Sequence, residues 1–304
     1  VTRYVFRRFA HARITVRAVL LVLLIVAADC QLPTANSASA ATTFASPAFT
    51  LQWERGEATV QNFWGPLPNA TGTLYEEYRQ SAPTGQRVVQ YFDKGRMEIN
   101  TPGGPVTNGL LTNELITGRV QVGDAQFVQR EPARIPVAGD PENAFPTYAD
   151  LRFFQSTPAQ APKAVTILAG PGNGVPFGVI TSPYQQGGTD PNASIVGFDP
   201  LTRHYVPRAF ADFRNRVGLL TVGYAVTEPF YATLKVGGVS KVVMIQAFER
   251  RVLTYTPANT PAFLVEFGNI GQHYYQYRHP RGGSENPPPL VPQPVPPIFQ
   301  PVGP

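Results

Sequence analysis

Between residues 44 and 280, apolar and β-branched runs are short, and most are bounded by Gly, Pro, Asn or Asp. Proline fixes φ and removes a backbone donor, and glycine ends regular structure cheaply, so such punctuation favours short strands over long helices. The chain is therefore expected to be mainly β with a few short helices, a β-rich α+β fold. Strands are expected at Arg87–Phe92, Arg96–Asn100, Ala125–Gln129, Ala164–Leu168, Tyr231–Val236, Lys241–Phe248, Arg251–Tyr255 and Gln272–Tyr277. Gly237-Gly238 supplies the positive φ of a tight hairpin turn. A helix is expected at Val206–Arg216, where Phe210 and Phe213 share a face, and a helical turn at Leu110–Leu115.

An internal echo divides this region. Gln90-Tyr91-Phe92-Asp93-Lys94-Gly95-Arg96-Met97 is followed by Thr101-Pro102, and Gln246-Ala247-Phe248-Glu249-Arg250-Arg251-Val252 by Thr256-Pro257. With Gly95 deleted, both read Q-x-F-acid-base-R-apolar, and the copies start 156 residues apart. The spacing predicts two related β-rich units, 44–138 and 196–280, joined by an irregular Pro/Gly-rich linker or loosely structured insert over 139–195.

The runs VQYFDKGRMEI with VTNGLLTNELITGRVQVGDAQF, and PFYATLKVGGVSKVVMIQAFERRVLTYTP with VEFGNIGQHYYQYR, cover most of residues 49–138 and 197–278. They resemble a family of uncharacterised exported proteins of Chloroflexi-type bacteria that carry QYF-D/E-R segments. Gly218–Tyr224 with Thr227-Glu228-Pro229-Phe230 also loosely resembles the LGFP repeats of secreted, wall-associated proteins. The first resemblance implies no activity; the second implies attachment to a surface or wall.

The ends of the chain read differently. Five arginines precede an apolar run from Ala18 to Ala28, shorter than the ~20 residues a spanning helix needs, and Ala38-Ser39-Ala40 forms a small-residue cleavage pattern. Residues 1–40 are thus expected to be a signal peptide, and the protein secreted or held at the cell surface. Cys30, the only cysteine, offers a lipid anchor as the alternative. Leaving residues 1–40 aside removes five of 25 basic and one of 20 acidic residues, so the remainder carries 20 and 19. That balance gives nucleic-acid binding no electrostatic support. Residues 281–304 are a Pro-rich tail: nine of the last twenty residues are proline, a composition that favours extended polyproline II.

Catalytic and metal motifs are missing from the sequence. His204, His273 and His279 form no zinc pattern, and no G-x-S-x-G elbow occurs. Gly170–Gly174 lacks the Lys-Ser/Thr of a phosphate loop and reads as a flexible loop. No metal or cofactor is expected. Two acidic pairs, Asp93 with Glu98 and Glu249 with Glu266, are the candidates for carboxylate-dependent glycoside hydrolysis. Aromatic rings offer a binding alternative, since exposed rings grip sugars and peptides: Trp53, Trp64, Tyr275 and Tyr277 are the candidate ligand-binding residues. Trp64 precedes a Gly-Pro turn, and Tyr275 and Tyr277 share one face of the expected last strand. The sequence accordingly points to an exported, non-catalytic, cell-surface or wall-associated module that binds an envelope component, with polysaccharide the foremost partner. A wall-acting hydrolase and a structural protein of an outer layer are the alternatives.

Overall fold

The computed structural model describes residues 44–65, 73–79, 84–155, 166–168, 190–280 and 292–293. Residues 1–40, expected to be a signal peptide, with Cys30, and the segment 170–174, lie outside them. In chain order the elements are α1 (Pro47–Glu57), β1 (Thr73–Glu77), β2 (Gln86–Phe92), β3 (Gly95–Ile99), α2 (Leu111–Thr117), β4 (Arg119–Gln121), β5 (Phe127–Gln129), α3 (Tyr148–Gln155) and β6 (Thr166–Leu168). There follow β7 (Ile195–Asp199), β8 (His204–Pro207), α4 (Arg208–Val217), α5 (Leu219–Val222), β9 (Phe230–Val236), β10 (Val239–Ala247), β11 (Val252–Tyr255), β12 (Val265–Phe267), α6 (Ile270–Arg278) and β13 (Pro292–Gln293). The strands form four small sheets: β1-β2-β3, β12-β11-β10-β9-β6, β13-β5-β4 and β7-β8. All pairings are antiparallel except β6 with β9. The fold is β-rich α+β, as the punctuation of the sequence requires.

Local chemistry explains the ends of the elements. Ser46 caps α1 by accepting from the Ala48 N–H at 3.2 Å, with Pro47 in the first turn. Asp150 reaches back to the Thr147 N–H and hydroxyl at 2.8 and 2.6 Å, starting α3. Phe210, Phe213 and Val217 put α4's buried face at helical spacing. The β9–β10 turn is Gly237-Gly238, both at positive φ, and both N–H groups donate to the Asp140 carboxylate at 2.8 and 2.7 Å.

Three expectations need correction. The segment 139–195 is not a loose linker where it is described: Tyr148 and Leu151 of α3 are fully buried, β6 extends the five-stranded sheet, and Asp140 holds the β9–β10 turn. Gln272–Tyr277 is helix, not strand, because Ile270 and Tyr274 fall one turn apart and bury together. The two halves also do not keep separate cores. One apolar cluster joins Val89, Tyr91 and Leu111 to Ile245, Val252 and Tyr274; the other joins Phe49, Trp64 and Phe92 to Phe210, Phe248 and Phe267.

A buried ionic network crosses the same boundary. Alternation along the first sheet puts Arg87, Val89 and Tyr91 of β2 on one face, with Glu76 of β1 opposite Arg87 and Arg96 of β3 opposite Tyr91. Arg96 is fully buried and pairs with Glu76 at 2.9 Å and Glu98 at 2.6 Å. Arg87 lies 3.2 Å from Glu98, and Arg278 at the end of α6 lies 3.7 Å from Glu76. Burial alone would push Glu76 upward, but Arg96, Arg278, His279 and Arg87 hold its carboxyl well below the usual range. Glu98 is likewise held down by Arg87 and Arg96 against burial. Glu114 of α2 is different: burial pushes it up, and its Oε2 accepts from the Tyr274 hydroxyl.

Removing Glu76's charge strands buried guanidinium groups. Glu76→Gln is expected to cost about 3–5 kcal/mol in urea unfolding. Glu114→Gln keeps an acceptor for Tyr274 and should cost far less; equal losses would contradict this division of charge. Stability should also depend on pH through His273, which burial pushes down to about 4. Between the ordinary histidine value of about 6.5 and that value, the unfolded chain binds the extra proton. Stability should therefore fall as pH drops through this window, and His273→Gln should flatten that part of the urea-midpoint profile.

Candidate functional site

The echoed segments are two hairpins whose registers match residue for residue. Gln90 faces Met97 and Gln246 faces Leu253; Tyr91 faces Arg96 and Ala247 faces Val252. No deletion is needed, so Gly95 corresponds to Arg251, not to a gap. The turns are Asp93-Lys94 and Glu249-Arg250. Each is received by the half it does not belong to. The Asp93 carbonyl accepts from Gly271 and Gln272 N–H groups of α6, at 3.1 and 3.2 Å. The Glu249 carbonyl accepts from the Asn113 N–H of α2, at 3.3 Å. Each turn also leans on its own half: Lys94 N–H donates to Trp64 O, and Arg250 N–H to Val222 O.

The basic residues of the two turns then diverge. Arg250 is engaged, donating from Nη1 to the Gly109 carbonyl at 3.2 Å. Lys94 makes neither an ion pair nor a side-chain hydrogen bond among the described residues, and it lines a cleft of about 200 Å³. Residues 59–62 after α1, Phe213 and Arg216 of α4, and the segment 261–267 form the other walls. Phe213, Phe263 and Phe267 make the apolar side; Gln61, Asn62, Arg216 and Glu266 are polar. Burial pushes the Lys94 amine below its ordinary value; Glu266 pulls it back, and Arg251 presses in the same direction as burial. A second hollow, of about 560 Å³ beside Arg130 and Arg152, has no aromatic wall among its lining residues.

Behind the cleft lies Arg251. It is 1% exposed, and all three of its guanidinium nitrogens lack hydrogen-bond partners. Three rings surround it: Trp64 at 4.7 Å, Phe267 at 5.3 Å and Phe63 at 5.9 Å to the ring centroids. Ring quadrupoles supply about 0.5–2 kcal/mol per contact, which only partly offsets desolvation. Burial, with Arg250 nearby, pushes Arg251 down to about 9, so it remains a cation at neutral pH. The opposite hairpin makes room for it. A Cβ on Gly95 would stand 1.8 Å from Arg251 Nη1, so a larger residue there would force the guanidinium out of its ring cage.

The candidates read from sequence fall elsewhere. Trp64 is fully buried, its ring N–H donating to Gln52 O at 3.3 Å, so it is a wall of the Arg251 cage and not a surface ring. Its Gly-Pro neighbour does not expose it, because Phe63 and Trp64 fold back onto Gly56 of α1. Trp53 is half-buried against Phe44, 6.0 Å away. Tyr275 and Tyr277 do not share a face: on a helix, residues two apart diverge by about 200°. Tyr275 packs edge-on to Tyr91 at 5.2 Å, while the Tyr277 hydroxyl donates to Glu131 O at 2.8 Å. The carboxylate candidates are also spread out. Glu98 is buried in the ionic network, Asp93 Oδ1 accepts from Gln272 Nε2 at 2.6 Å, Glu249 Oε2 accepts from Tyr224 N–H at 3.0 Å, and only Glu266 lines the cleft.

Among the described residues no cluster of three or more His, Cys, Asp and Glu is placed to hold a metal ion, and no helix is long and apolar enough to cross a membrane. No protein-family model, curated protein or solved structure matches the chain.

The fit of Arg251 over Gly95 is directly testable. Gly95→Ala should displace the guanidinium and lower stability by roughly 1–3 kcal/mol, the usual cost of overpacking. Arg251→Met removes an unpaired buried charge while keeping a linear side chain. It should melt at the same temperature as the parent or higher, and a large fall would show that the cage contributes more than the desolvation it offsets.

Proposed function

We propose that this protein is an exported, non-catalytic binding module of the cell surface or wall, formed by an internal duplication, and that its ligand is an envelope polysaccharide held in the Lys94 cleft. The observation that carries the reading is the divergence of the two matched turns. Arg250 is consumed by a structural hydrogen bond, whereas Lys94 is left unpaired on a cleft with three phenylalanine rings. Rings beside amide groups and a charge suit a sugar, which presents an apolar ring face and a polar edge. A cleft of about 200 Å³ is scaled to a single sugar unit at a time. The sequence of residues 1–40 supports export, and the likeness to QYF-D/E-R and LGFP-type proteins supports a place at the surface.

The duplication reading explains why the turns match at all. Thr107 bridges Glu98 as Glu266 pairs with Thr254, and two residues on stand Gly109 and Gly268, each leading into a helix that receives the other half's turn. Such reciprocity is what two copies of one unit make when they associate as a dimer and are later joined.

Binding is tested by pull-down of the folded protein, lacking residues 1–40, with purified envelope polysaccharide and by a glycan array. Retention on polysaccharide that is lost on Phe263→Ser is the expected result. A folded sample that binds no glycan on either platform would end the proposal.

A further inference from the structure

Cations and a carboxylate share the cleft without pairing: Lys94, Arg216 and Glu266 all line it, and no salt bridge joins them among the described residues. Lys94, Arg216 and Arg251 have no carboxylate partners among the described residues, and Arg251 lies behind the cleft wall at Phe267. Three carboxylates attract Lys94 but none forms an ion pair with it, and each accepts a hydrogen bond from a neutral donor. Glu57 accepts from the Trp64 N–H at 2.9 Å, Asp93 from Gln272 at 2.6 Å and Glu266 from Asn259 at 3.3 Å. A buried cation without a counterion is costly, and an anion entering the cleft relieves that cost. Arg216 is exposed at the mouth and stacks on Phe213, its guanidinium 5.1 Å from the ring centroid, which pre-sets the fork.

Resting on the polysaccharide reading above, we propose that the cleft selects an anionic sugar unit. Its ring face lies on Phe213 and Phe267, its hydroxyls reach Gln61 and Asn62, and its acidic group sits between Lys94 and Arg216. A neutral sugar leaves Lys94 unpaired and gains nothing from Arg251. The acidic group is a carboxylate or a sulfate, which share the anionic oxygens that Lys94 and Arg216 recognise.

Calorimetric titration of the folded protein with oligogalacturonate, its fully methyl-esterified form and a sulfated neutral oligosaccharide tests this. The free acid or the sulfated chain should bind, with affinity falling as salt is raised. The methyl ester should bind about tenfold or more weakly than the acid, as expected for loss of a charge-assisted contact. Lys94→Gln and, separately, the exposed Arg216→Gln should each reduce binding of whichever anion is preferred, with unchanged circular dichroism. The preferred anion identifies the acidic group. If the ester binds as well as the acid, or if both variants bind like the parent, the anionic assignment fails while glycan binding stands. If no oligosaccharide binds, acidic or neutral, both readings fail together.

Discussion

The structure depends on two backbone carbonyls at hairpin turns, those of Asp93 and Glu249. A turn carbonyl facing the interior must find a donor or lose the worth of a hydrogen bond. Here the donors are N–H groups of Gly271 and Gln272 in the first turn of α6 and of Asn113 in the first turn of α2. Because α6 belongs to the second half of the chain and α2 to the first, each half completes the other. Gly271 shows how tight the contact is: a Cβ there would stand 1.9 Å from the Phe92 carbonyl oxygen. Neither half keeps its turn satisfied alone, and both apolar clusters draw on both halves for the same reason.

Two kinds of buried charge sit at this junction, and they behave oppositely. Arg87, Arg96 and Arg278 are paired with Glu76 and Glu98, and the Tyr91 and Thr107 hydroxyls donate to those carboxylates; Arg87 Nε and Arg96 Nε lack hydrogen-bond partners, but the ion pairs tie α6 to the first sheet. Arg251 is open. It has rings on three sides and no acceptor, a local conflict of the sort that natural chains keep at functional places and offset elsewhere. The paired network joins the two halves through Arg278 and Glu76. The unpaired cation lies behind Phe267, whose ring lines the neighbouring cleft.

The positions of β2, β3, β5, β6 and β9 to β11, the Gly237-Gly238 turn, the α4 helix and the overall β-rich class were legible in the sequence because each rests on local rules: punctuation by Gly and Pro, period-2 alternation, positive φ. The echo of Gln90–Met97 in Gln246–Val252 was legible too, but its alignment was not. Deleting Gly95 gives the better match of letters, whereas the hairpin registers pair Gly95 with Arg251. A string comparison cannot see that a missing side chain in one strand is the space filled by a large one from the other half.

Composition and short-range pattern thus determined the β-rich class and many of the element types and, through residues 1–40, the expectation of export. Tertiary structure alone decided what the residues do. Trp64 reads as a surface ring from its Gly-Pro neighbour, yet the chain folds back on Gly56 and buries it against Arg251. Gln272–Tyr277 reads as strand from its tyrosines, yet burial of Ile270 and Tyr274 on the first half makes it helix. Lys94 and Arg250 are alike in sequence context, yet Arg250 donates to Gly109 O in the other half while Lys94 lines the cleft. Each outcome turns on contact between residues far apart in the chain, and such contacts leave no local trace.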